Sequence, residues 1–117
     1  MNMTSQTVSS DPHHYRLLKL IEANPGINQR EMAQAMGVSL GKVNYCVKAL
    51  VQKGIIKIHG FRNHGNKRAY MYLLTPGGIE AKARLAVSYL KHKMAEYEAI
   101  RNEIEELRRE TEQEASA

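Results

Sequence analysis

The residues best suited to chemistry lie between Ser39 and Gln52. Gly41, Asn44, Tyr45, Lys48 and Gln52 recur at helical steps, with Lys42 beside them, and no acidic residue occurs from Leu40 to Lys53. If this segment is a helix, these side chains share one outward face. Asn can pair with adenine N6 and N7, and Lys with guanine or a phosphate. Tyr can hydrogen-bond a phosphate or pack on a thymine methyl, and glycine permits close approach. The chemistry is recognition of a polyanion, not bond making. A second basic group follows in Arg62, Asn63, Lys67 and Arg68, within a carboxylate-free stretch, His59 to Arg68. A basic hairpin tip can grip a DNA backbone or enter a narrow minor groove. The bland alternative for the helix is a solvated face, but such faces usually mix charge signs; for the loop it is a floppy surface loop, which would carry the same glycines.

Other chemistries find no support. The chain has no phosphate-binding glycine loop, no cysteine pair at zinc spacing and no nucleophile with a base pattern. An enzyme is therefore not expected, nor a cofactor. His13–His14 and His59/His64 lack partners at ligand spacing, so no metal is expected, and they read as surface histidines. Cys46 is the single cysteine. It excludes an intrachain disulfide, suits a reducing cytoplasm and reads as a small apolar filler, with nothing nearby in sequence to lower its pKa.

The elements that must position these residues are legible. Residues 1–10 are polar and aperiodic and read as a disordered tail. Asp11–Pro12 starts a helix, Asp as N-cap and Pro first, with Tyr15, Leu17, Leu18, Leu20 and Ile21 as its apolar face. Asn24-Pro25-Gly26 ends it. Asn28 and Glu31 form a capping box for a second helix, with Ile27 and Met32 as its staple, and Gly37 closes that helix in a left-handed turn. Ser39 caps a third helix, which hides Leu40, Val43, Val47 and Leu50 and ends at Gly54. The spacing of Ala33, Gly37 and Val43 is that of a tight helix-turn-helix. Strand-like segments at Ile55–Ile58 and Ala69–Leu74 flank the basic loop, with Phe61 at its base. The expected fold is mainly α with a small β wing: a winged helix-turn-helix over residues 11–78, with its recognition helix at about 39–53 and its wing at 59–68.

Thr75-Pro76 opens a last helix that nothing interrupts before Thr111. Ile79, Ala83, Ala86, Leu90, Lys93, Tyr97, Ile100, Ile104, Leu107 and Thr111 advance by alternating steps of four and three. That is a heptad seam, broken only by Lys93 and Thr111. It predicts a coiled-coil dimerisation helix over 79–117, with Ala86, Leu90, Tyr97, Ile100, Ile104 and Leu107 at the interface. The stem of Lys93 is expected to lie along the seam with its amine in solvent.

Charge agrees with this division. Residues 1–74 carry ten Lys/Arg against three acids, and residues 75–117 carry seven against nine, within a net charge of +5. An anionic partner is expected for the front half alone. No apolar run is long enough for a membrane span, and the N-terminus lacks the features of a secretory signal.

Ser39-Leu40-Gly41-Lys42-Val43-Asn44-Tyr45-Cys46-Val47-Lys48-Ala49-Leu50, then Lys53-Gly54-Ile55-Ile56 and Leu74-Thr75-Pro76-Gly77-Gly78, resemble the MarR superfamily of winged-helix regulators. With the tail motifs Lys93-Met94-Ala95-Glu96-Tyr97-Glu98 and Glu103 to Arg109, the chain is similar to short MarR-type regulators associated with bacterial exopolysaccharide gene clusters. The likeness runs over residues 13–110. It implies a homodimeric regulator of transcription on a pseudo-palindromic double-stranded DNA operator, with Gly41, Lys42, Asn44 and Tyr45 at base-reading positions. Typical members are longer, and flanking helices build a dimer domain with a ligand pocket. The single C-terminal helix here counts against a small-molecule effector. The rival expectation is a winged helix that docks a protein, with the long helix as its handle.

Overall fold

The computed structural model describes residues 11–62, 65 and 68–116. The order is α1 (Pro12–Ala23), α2 (Gln29–Met36), α3 (Leu40–Gln52), β1 (Ile56–Arg62), β2 (Arg68–Leu74) and α4 (Pro76–Ser116). The expected tail at 1–10 and the candidate contacts Asn63 and Lys67 lie outside the described residues.

Local signals place the helix ends. The Asp11 side chain accepts from the His13 amide at 2.9 Å. Asn28 and Glu31 exchange both bonds of the capping box, at 2.8 and 3.0 Å. Gly37 closes α2 at φ 67° and Gly54 follows α3 at φ 72°; glycine adopts this left-handed region without the Cβ clash that other residues meet. Ser39 caps α3 by accepting from the Lys42 amide at 3.1 Å.

The three short helices enclose one core. Leu17, Leu18 and Ile21 of α1, Met32 and Met36 of α2, and Val43, Cys46, Val47 and Leu50 of α3 are buried with Ile56, Tyr72 and Leu85. Two expectations change here. Leu40 is not in the buried stripe but 46% exposed, and Cys46 takes its place. A 3.6-residue period puts positions 43, 46, 47 and 50 on one face, while Leu40 is the first residue of the helix, one turn before that buried set begins. His14, expected at the surface, is buried, because it stands on the same face of α1 as Leu17, Leu18 and Ile21.

The two strands form an antiparallel hairpin registered from Ile56↔Leu74 to Arg62↔Arg68. Both extend beyond their expected ends into the basic loop, so half of the segment read as loop is ladder. Phe61 does not anchor the base: it is 40% exposed within β1. The Tyr72 amide donates to the Pro25 carbonyl at 2.9 Å, which ties the wing to the α1–α2 turn.

Thr75 caps α4 and fastens it to the turn after α3. Its hydroxyl accepts from the Gly78 amide at 2.9 Å and contacts the Gly54 and Ile55 carbonyls. A Cβ on Gly78 would sit 2.0 Å from the Ile55 oxygen, so only glycine lets the helix approach this turn. Beyond it, Ala81 and Leu85 are buried against the head, and Tyr89 meets Tyr15 with ring centroids 5.0 Å apart. From Leu90 to Ser116 every residue is exposed. Among the described residues no helix is long and apolar enough to cross a membrane.

Candidate nucleic-acid interface

α3 is held in the core by Val43, Cys46, Val47 and Leu50, which turns its other side outward. Ser39, Gly41, Asn44, Tyr45 and Lys48 are exposed and Lys42 is half-buried. The helix thus presents a contiguous strip of donors without a carboxylate of its own. Tyr45 is 59% exposed, with the Lys42 ammonium 5.4 Å from its ring centre. Gly41 has no internal reason to be glycine: a Cβ there would meet nothing nearer than the Ser39 Oγ at 3.9 Å. Glycine costs a helix roughly 0.5–1 kcal/mol relative to alanine, so its presence fits a demand from outside the fold.

The structure adds neighbours that sequence reasoning missed. Asp11 Oδ2 lies 3.0 Å from the Lys42 Nζ, so the strip's first cation is paired with an acid from α1. Burial acts to raise the Asp11 pKa, but the His13 amide, the His13 ring and Lys42 hold the carboxyl down at about 2. The same contact raises the pKa of Lys42. Gln29, at the start of α2, accepts from the Asn44 side chain at 3.3 Å and donates to the Tyr72 hydroxyl at 3.4 Å. It connects α3, α2 and the wing. Its place directly after the Asn28 cap was a sequence signal that could have marked it, because the first helix of such a pair starts near the DNA backbone.

Arg62 is exposed at the end of β1, and the register sets it opposite Arg68. Arg16, one of the front-half cations, donates to the Met36 and Ala35 carbonyls at 3.2 and 3.3 Å, closing the end of α2.

A second cluster joins residues far apart in sequence. A ring nitrogen of His14, the Cys46 Sγ and a carboxylate oxygen of Asp11 lie within 4.8 Å of one another. His14 is 1% exposed, and among the described residues its Nε2 has no hydrogen-bond partner. Burial lowers the His14 pKa and raises that of the Cys46 thiol. Sequence spacing could not reveal this set, because Cys46 comes from a different helix.

On the stalk, the candidate interface residues are laid bare. Leu90, Tyr97, Ile100, Ile104 and Leu107 are 46–64% exposed, and Ala86 is half-buried. Val87 and Met94 add to this face at 56% and 60% exposure. Lys93 points its amine to Glu96 at 3.3 Å and to the Tyr89 ring at 5.5 Å.

Three helices, an αL turn before an outward polar helix and a two-stranded wing define a winged helix-turn-helix fold. Residues 10–57 match the family model described as winged helix-turn-helix DNA-binding. A candidate transcriptional regulatory protein for the hcr operon of Thauera aromatica is 31% identical over 80 residues, which are 68% of this chain and 47% of that protein. The chain therefore spans about half the length of that curated relative. Among solved structures, the PcaV transcriptional regulator of Streptomyces coelicolor is similar with a TM-score of 0.56 at 20% identity, over 90% of this chain and 79% of that one. The zinc-dependent MarR family transcriptional regulator AdcR in its Zn(II)-bound state is similar with a TM-score of 0.51 at 20% identity, over 79% of this chain and 60% of that one. The chain thus carries a winged helix-turn-helix DNA-binding domain and has the fold of the MarR-family regulators. Each of these matched proteins is described as a regulator of transcription.

Proposed function

We propose that this protein is a MarR-type transcriptional regulator that binds double-stranded DNA as a homodimer. The observation that carries the reading is the outward face of α3: exposed Gly41, Asn44, Tyr45 and Lys48 beside Lys42, with no acid within the helix. An α-helix fits the major groove, where Asn44 would read a base edge and Ser39, Lys42, Tyr45 and Lys48 would contact bases or phosphates. The wing, with Arg62, Asn63, Lys67 and Arg68, would rest on the backbone or in the minor groove.

The stalk over residues 79–117 supports the homodimer. Its exposed apolar seam repeats at heptad spacing, and each large side chain buried against a second copy gives about 1.5–3 kcal/mol before entropy costs. Two heads on one two-fold axis would meet half-sites about one helical turn apart, which explains an expected pseudo-palindromic operator. Acting on DNA in this way places the protein in the cytoplasm. No small-molecule effector is part of this reading.

The test separates reading from positioning. Asn44→Ala is expected to change sequence preference by about 1–3 kcal/mol at one base pair. Arg62→Ala is expected to weaken all duplexes alike and to lower the salt slope by about one. Both are measured by fluorescence anisotropy across a set of operators and salt concentrations. Uniform losses in both variants would overturn this division. Failure of the unaltered protein to bind duplex DNA at low salt would overturn the reading and favour a protein-docking module.

A further inference from the structure

The polar cluster between α1 and α3 is chemically unusual for a core. Asp11, His14 and Cys46 bring one oxygen, one nitrogen and one sulfur within 4.8 Å of one another. A buried imidazole nitrogen without a partner costs free energy, so such an atom calls for an explanation. His14 Nε2 is that atom among the described residues, and Cys46 beside it is fully buried. Lys42 stands at the rim, one helical turn before Cys46, with its ammonium on Asp11 Oδ2 at 3.0 Å.

We propose that Asp11, His14 and Cys46 form a binding site for a thiophilic divalent cation of the zinc type, and that filling it releases Lys42 toward DNA. Thiolate and imidazole select such ions over magnesium or calcium. Bond lengths of about 2.0–2.3 Å on a tetrahedral ion set ligand atoms roughly 3.5 Å apart, so closure takes about 1 Å of movement. Water completes the fourth position. Cys46 enters as thiolate and its proton leaves to solvent, one per ion bound. Thiolate and carboxylate together neutralise the dication, so the buried site carries no net charge.

The ion takes Asp11 Oδ2 from Lys42, because a cation at that oxygen repels the ammonium. Asp11 Oδ1 keeps the His13 amide that caps α1. The displaced Lys42 returns its charge to the outer face of α3. The metal also bonds α3 to the start of α1, which fixes the recognition helix. By linkage, operator DNA then tightens metal binding by the factor that metal tightens DNA binding. The site stands independently of the proposed function, while its consequence for DNA rests on that reading.

Cobalt(II) titrated into the full-length chain without DNA tests the site. Because Cys46 is the single cysteine, a thiolate-to-cobalt charge-transfer band reports this site alone. The expected result is a band saturating at one ion per chain, displaced by zinc and absent in Cys46→Ser. Asp11→Asn, which retains an N-cap residue, and His14→Gln are each expected to weaken binding more than tenfold. Circular dichroism checks that each variant is folded. No band in the unaltered protein, or an unchanged affinity in folded Asp11→Asn, overturns the site. In a second arm, zinc is expected to raise operator affinity at least threefold, and not in Lys42→Ala, which still gives the cobalt band. A band with no zinc effect on operator binding overturns the Lys42 coupling. A band in a protein that binds no DNA at any metal level overturns the coupling together with the proposed function.

Discussion

The head and the stalk use apolar residues in opposite ways. In the head, Leu17, Leu18, Met32, Val43 and Leu50 are wholly buried, each against other elements of the same chain. In the stalk, Leu90, Tyr97, Ile100 and Leu107 are more than half exposed, although their spacing is as regular. A periodic apolar face states only that something will cover it, not whether the cover is intramolecular. α4 shows both answers in one helix. Its Gly78, Ala81 and Leu85 stripe is filled by the head, while the seam beside it is partly covered only at Ala86 and, among the described residues, lies exposed from Leu90 to Leu107. An isolated amphipathic helix gains little from propensity alone, and the proposed second copy supplies what the head supplies at the other end.

Removing the stalk should produce the largest effect. A chain ended at Lys91 keeps the packing of α4 against the head, including Tyr89 on Tyr15. It is expected to sediment as a folded monomer and to lose about 10²-fold or more in operator affinity, since linked half-sites no longer bind together. A dimer that survives this truncation, by analytical ultracentrifugation, would break the comparison and move the interface into the head.

The joint between the two regions comes next. Gly78→Ala drives a Cβ against the Ile55 carbonyl, 2.0 Å away, and backbone on both sides must shift. The cost is expected near 3 kcal/mol, read as a fall in melting temperature of about 10 °C or more. Dimerisation should persist, because the seam lies elsewhere on α4. A Gly78→Ala protein with unchanged melting would show that the Thr75–Gly78 contact is not what aligns recognition helix and stalk.

What was legible in the sequence follows the same division. Caps and breakers are local, so Asp11, Asn28, Ser39 and Thr75 marked helix starts correctly, as Gly37 and Gly54 marked ends. The strip Gly41 to Lys48 was legible because it needs only one helix and a 3.6-residue period. Contacts between distant segments were not. No spacing rule links Asp11 to Lys42, Gln29 to Asn44, or His14 to Cys46, since those distances are set by how α1 and α2 cross α3. The strands run past their expected ends through Gly60, a residue type depleted in strands. The ladder with Met71 and Tyr70 carries His59 and Gly60 nonetheless. On the stalk, strict heptad counting singled out Lys93, while the exposed apolar residue at that level is its neighbour Met94.

The smallest effect sharpens the contrast between stability and function within the head. At Gly41 a methyl group has room inside the fold, with Ser39 Oγ at 3.9 Å as the nearest atom. Gly41→Ala should therefore stabilise the protein by about 0.5–1 kcal/mol through helix propensity and a less flexible unfolded chain. Gly41 also lies on the strip proposed to face DNA, one turn before Tyr45, where an added methyl would stand between helix and base edges. Operator affinity is then expected to fall as melting temperature rises, a reversal that a merely structural glycine cannot give. Denaturant unfolding and operator titration of the same preparation check both halves. A variant that gains stability and keeps full affinity would remove Gly41 from the interface and shift the reading face toward Asn44 and Lys48.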